Sequence, residues 1–148
     1  TYNSSPAAAS AALQALYSLQ VPQRIAVLGS MNELGVSSAE EHQRLGALCD
    51  PSLLSWVITI GDEAEQYLAP IARSRGCQVK SFNNAIDAGT FARSVSEPGA
   101  AILVKGSQGN IYAEEAVKIL CLMSEDVELV RQDPHWMKIK DGFFSKFS

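Results

Sequence analysis

Lys105, Gly106, Ser107 and Gly109 fall within one short stretch, and their types and order would make an anion-recognising loop. Lys105 offers a cation and Ser107 a hydroxyl. The two glycines permit backbone angles that other residues resist, and amides at the start of a following helix add further donors. A carboxylate or a phosphate suits such a set. The same residues also build a plain connecting turn with a solvated lysine, and the loop alone leaves both readings open. Elsewhere the chemistry is sparse. His42 and His135 lie too far from any ligand cluster to nominate a metal site, so none is assigned. There is no Gly-x-Ser-x-Gly elbow, no Gly-x-x-x-x-Gly-Lys-Ser/Thr phosphate loop and no Gly-x-Gly-x-x-Gly fingerprint. The carboxylate pairs Glu40-Glu41 and Glu114-Glu115 fall in helical sequence, where adjacent residues point different ways. They are expected to be solvated faces, and no catalytic residue is assigned.

The elements that must position the loop can be read in order. Ser5-Pro6 and the apolar stripe Ala9, Ala12, Leu13, Leu16 and Tyr17 predict a helix over 6–19. The apolar run over 24–29 predicts a strand covered on both faces, with an exit loop over 30–37. Ser38-Ala-Glu-Glu41 reads as a capping box for a helix ending near Asp50-Pro51. A second buried strand over 56–60 turns at 61–63 into a helix capped by Asp62, running toward Arg75 and closed by Gly76. A more alternating strand over 78–82 belongs nearer an edge, and Asn83-Asn84 caps a helix carrying Ile86, Phe91 and Val95. The last strand, over 100–104, feeds the lysine loop and a helix over 110–122. Alternation of this kind, with right-handed crossovers, predicts a parallel sheet with helices on both faces. The four exit loops then share one edge, which is the functional candidate. After residue 122, a short helix over 124–132 is followed by Trp136, Phe143, Phe144 and Phe147 mixed with Lys138, Lys140 and Lys146. Asp133-Pro134 and Asp141-Gly142 are expected to interrupt any long helix there. The aromatics are expected to pack back on the domain and blunt a sheet edge.

With 148 residues, 47% hydrophobic and 19% charged, the chain supports one core and one domain. A net charge of -4 supplies no basic field for nucleic acid, so small molecules and proteins are the expected partners. Cys49, Cys77 and Cys121 are odd in number and widely spaced, which fits a reducing cytoplasm better than a disulfide framework. No apolar run reaches the roughly 20 residues of a membrane span. Because the sequence opens on Thr1, an excised part of a longer protein is expected.

Gly29-Ser-Met-Asn-Glu33-Leu-Gly35, followed by Ser38, His42 and Gly46, resembles the pattern Gly-Asp-Met-x-Glu-Leu-Gly-x-x-Ser-x-x-x-His-x-x-x-Gly of the Mur ligase C-terminal domain, MurF type, without a gap. Tyr2-Asn3-Ser-Ser-Pro6 resembles that family's Tyr-Asn-Ala-Asn-Pro, and the run from Leu103 to Gln108 its Leu-Val-Lys-Gly-Ser-Arg. Ser5, Ser30 and Gln108 depart from the family's asparagine, aspartate and arginine. The resemblance implies a three-layer, Rossmann-like α/β domain over 1–123, with an extension over 124–148. It implies a bacterial, cytoplasmic, ATP- and Mg2+-dependent peptide ligase of cell-wall peptidoglycan synthesis. There ATP activates the carboxylate of a UDP-muramoyl-peptide, and the amine of a D-alanyl-D-alanine-like substrate attacks it. The partners implied are the N-terminal and central domains of the same polypeptide, over which this domain closes. Asn3 and Ser30 would lie on the ATP side, Lys105 and Ser107 would bind the incoming amine substrate, and Glu33 and His42 are lesser candidates. The isolated chain would hold neither ATP nor Mg2+ tightly and would be inactive. The three departures keep two alternatives open: a non-catalytic binding or regulatory domain, or a ligase for a different amine.

Overall fold

The computed structural model describes residues 5–107, 110–120 and 134–147. Strands β1 (Arg24–Gly29), β2 (Trp56–Ile60), β3 (Val79–Phe82) and β4 (Ala101–Lys105) form one parallel sheet in the order β3-β2-β1-β4. The apolar runs at β1 and β2 therefore occupy the centre, where Val27 lies beside Ile58 on one flank and Val104 on the other. Because side chains alternate across a strand, the sheet feeds two cores. Ala26, Leu28 and Val57 face Ala9 and Leu13 of α1 (Pro6–Ser18), Leu45 of α2 (Ser38–Ala47) and Ala72 of α3 (Ala69–Ser74). Ile25, Val27, Ile58 and Ile60 face Ala88 and Ala92 of α4 (Ala85–Val95) and Ala116 of α5 (Glu114–Leu120). Val27 and Ile58 are fully buried, each contributing about 1.5–3 kcal/mol. The three-layer α/β arrangement is the expected one.

Local chemistry explains most boundaries. The Ser5 hydroxyl accepts the Ala8 N–H at 3.2 Å and Pro6 opens α1, so the serine standing where the resemblance has asparagine is a working cap. Asn84 accepts the Asp87 N–H at 2.9 Å and starts α4. Gly46 lets α2 approach the next helix backbone to backbone, since a Cβ there would lie 2.7 Å from the Leu68 carbonyl oxygen. Tyr17 ties α1 to the end of α2. Its hydroxyl donates to the Leu48 carbonyl at 2.7 Å and accepts the Asp50 N–H at 2.9 Å. Burial pushes the Tyr17 phenol up to about 12 and, with Cys77 beside it, the Cys49 thiol up to about 12.

Five expectations need correction. Ser38 is not a cap: α2 begins at Ser38 itself, Ser37 makes no capping hydrogen bond, and the Ser38 hydroxyl lies 3.3 Å from His42 Nδ1. Asp62 does not cap the helix after β2, because the Ser30 hydroxyl takes the Ala64 N–H at 3.0 Å instead. That helix also opens as a π turn, Ala64–Leu68, in which the Ala69 N–H reaches back to the Ala64 oxygen. Pro70 follows with no N–H to give, and the wider turn relieves its ring. The helix expected over 110–122 begins only at Glu114, because Asn110 (φ 55°) and Tyr112 (φ 49°) take left-handed angles. Glu114 and Glu115 are buried, at 0% and 7% exposure, rather than solvated. Finally, Asp141-Gly142 does not interrupt the tail: α6 (Pro134–Phe144) runs through it into a 3-10 turn, Ser145–Phe147.

The tail is held from α6. Lys140 Nζ lies 2.5 Å from Glu115 Oε1 and 3.1 Å from Glu114 Oε1, while Phe143 and Phe144 pack edge-on against Tyr112. The covering of a sheet edge is not seen among these contacts, which fall on Tyr112 and the start of α5. Asn3, Gln108, Cys121 and residues 124–132 lie outside the described residues, as do the side chains of His135 and Trp136.

Candidate functional site

The sheet order creates a crevice between β1 and β4. The helix after β1 lies on one face and the helix after β4 on the other, so their exit loops part where they leave the sheet. Glycines let the two strand ends close up beneath that point. A Cβ on Gly29 would lie 2.6 Å from Ile111 Cγ2 and 3.1 Å from Gly106 Cα, so any larger residue displaces the chain. The loops are then cross-bonded. The Ser107 hydroxyl, 3% exposed, accepts the Asn32 N–H at 2.7 Å, and the Ser107 N–H donates to the Ser30 carbonyl at 3.3 Å.

Ser30 joins three strands at this edge. Its hydroxyl donates to the Ile60 carbonyl at 3.3 Å and accepts the Ala64 N–H at 3.0 Å. His42 fixes the same loop from below. The Met31 N–H donates to His42 Nε2 at 2.9 Å, so that nitrogen carries a lone pair. Nδ1 then bears the proton it gives to the Ser38 carbonyl at 2.8 Å. Both ring nitrogens of this fully buried residue are engaged, which makes His42 a support for the loop rather than a ligand contact.

Above the strand ends lies a cavity of about 470 Å³ lined by Ser30, Asn32, Gly61, Asp62, Glu63, Asn83, Asn110, Ile111, Phe143 and Phe147. The size is that of an ordinary small-molecule site. Of the residues singled out in the sequence, Ser30 is in this wall. Ser107 stands directly behind it through Asn32. Lys105 ends β4 on the face of Leu103, opposite Leu28 in register, beside the cavity rather than in it. Glu33 is exposed, holds a left-handed angle, φ 66°, and is not among the residues that line the cavity. The exit-loop argument had already marked the stretches holding Asp62, Glu63 and Asn83. Nothing in the sequence brought Phe143 and Phe147 to this edge. Among the described residues, no group of three or more His, Cys, Asp or Glu is placed to hold a metal ion, and no helix is long and apolar enough to cross a membrane.

The family model described as Mur ligase, glutamate ligase domain, matches residues 1–108. The chain belongs to this family. Solved structures place the Mur ligase domain more finely. The MurF ligase from Thermotoga maritima, in complex with ADP, superposes with a TM-score of 0.63 at 24% identity over 80% of this chain, a likeness of fold. Two structures of MurF from Acinetobacter baumannii match with TM-scores of 0.67 and 0.61 at 25% and 26% identity, over 81% of this chain. The resemblance to the C-terminal domain of MurF-type Mur ligases is thus confirmed. The chain spans about a quarter of those proteins, 26% of each.

Proposed function

We propose that this Mur ligase domain is the third domain of an ATP-dependent peptide ligase of peptidoglycan precursor synthesis, closing over a nucleotide held by a central domain and presenting the incoming amine substrate. The observation that carries the reading is the cross-bonded pair of loops at the crevice, where Lys105 ends β4 and Ser107 binds the loop of Asn32. Lys105 attracts the carboxylate of a D-alanyl-D-alanine-like substrate, and Ser107 holds the neighbouring loop in register for it. Asn3 and Ser30 are assigned to the nucleotide on the strength of the sequence resemblance. ATP, Mg2+ and the UDP-muramoyl-peptide belong to the complete polypeptide, in the cytoplasm. In that polypeptide Lys105→Ala is expected to raise the KM of the amine substrate by at least about tenfold, the scale of one lost charge-assisted hydrogen bond, with a smaller effect on ATP. An unchanged amine KM and kcat would remove Lys105 from the site.

One observation favours a second reading, a binding domain that has lost its chemistry. Where the family pattern has an aspartate, Ser30 spends its hydroxyl on Ile60 and Ala64. ATP turnover by the complete polypeptide with its peptide and amine substrates decides between them.

A further inference from the structure

The family match ends at residue 108, yet the cavity at the sheet edge is walled on one side by Phe143 and Phe147, far beyond it. These two rings pack edge to face with centroids 5.3 Å apart, and Phe143 stands 5.3 Å from Tyr112. Lys140, one turn before Phe143 in α6, is 1% exposed and is clamped by Glu114 and Glu115 at the start of α5. We infer that α6 is a built component of the site. Lys140 is a positioning residue, and Phe143 and Phe147 form an aromatic wall that receives a flat, uncharged heterocycle of the nucleobase type.

The lining favours that class over other ligands. Phe143, Phe147 and Ile111 give the cavity an apolar side on which a ring can stack, while the side chains of Asn83 and Asn110 offer both donors and acceptors for a base edge. Asp62 and Glu63 repel a phosphate from the same space, so the charged end of a nucleotide would point out toward the neighbouring domain. Two nucleobase-bearing molecules belong to the activity proposed above, on which this inference rests: ATP and the UDP-linked peptide.

The probes are adenosine and uridine, each titrated into the 148-residue chain and followed by amide and aromatic chemical shifts. One nucleoside is expected to shift Gly61, Asn83, Ile111 and Phe147 together in a saturable way. Which of the two does so names the source. Phe147 is 40% exposed, so Phe147→Ala should leave the melting temperature unchanged while weakening binding at least about fivefold, and Phe147→Tyr should restore it. Ribose is expected to give no shifts. Absence of shifts with both nucleosides, or equal binding by Phe147→Ala, overturns the inference. Because these readouts need no turnover, a complete polypeptide that ligates while the fragment ignores both nucleosides refutes the aromatic wall and leaves the proposed function standing.

Discussion

Replacing Lys140 with methionine tests what fixes the tail to the domain. Lys140 and Glu114 are 1% and 0% exposed, and Glu115 is only slightly more open, so the substitution removes a buried cation from beside two carboxylates. Lys118 compensates little: it sits 3.9 Å from Glu115 Oε2 with half its side chain in water. Removing one partner of a buried ion pair costs about 3–5 kcal/mol. For a chain of this size each kcal/mol shifts the melting temperature by about 2–4 °C, so a fall of about 6–20 °C is expected. Undocking of α6 offers a second route, because it returns both carboxylates to water and caps the loss at the free energy of docking. Thermal melts paired with amide hydrogen exchange separate the two: global destabilisation lowers the melt, whereas undocking strips protection from α6 first. Adding Glu114→Gln and Glu115→Gln to Lys140→Met should recover more than half the loss, since neutral amides are far less costly to bury. A Lys140→Met protein that melts within 2 °C of the parent, with α6 still protected, would refute the reasoning.

Other outcomes follow from the same geometry. Cys49 and Tyr17 have folded-state pKa values of about 12, above their unfolded values, so the stability they contribute is intact below about pH 8.5 and is lost as pH rises toward 12. Melting temperature under reducing conditions should therefore fall through this window, and Tyr17→Phe with Cys49→Ala should flatten the fall; an unchanged slope would contradict the assignment. His42→Ala strands the buried Met31 N–H and should cost about 1–3 kcal/mol in urea unfolding, with chemical-shift changes concentrated over residues 30–38. Gly46→Ala forces a methyl against the Leu68 carbonyl and should cost about 1–3 kcal/mol despite alanine's better helix propensity; a gain in stability would show that the two helices part easily.

Sequence pattern revealed what depends on neighbours along the chain. Strand β1 has the expected bounds because five of its six residues are buried, and Asn84 caps α4 with a partner three residues away. What it hid depends on partners far away. The helix after β2 is capped by Ser30, and the burial of Glu114 and Glu115 depends on Lys140, which no local periodicity announces. The lysine loop and the switch-point edge were legible, but the aromatic side of the cavity was not, because α6 is brought to that edge by Lys140 on Glu114 and Glu115 and by its rings on Tyr112.

The strand order also dictates when the sheet can be completed during synthesis. Arg24 and Ile25 pair with Ala101 and Ile102, so β1 acquires β2 early but must wait for most of the domain to leave the ribosome before β4 arrives. Until then one backbone flank of this central, largely buried strand stands open, the condition under which nascent parallel sheets associate with the wrong partner. Stalling translation between β3 and β4 should therefore yield a chaperone-dependent nascent chain, whereas stalling after α5 has emerged should not.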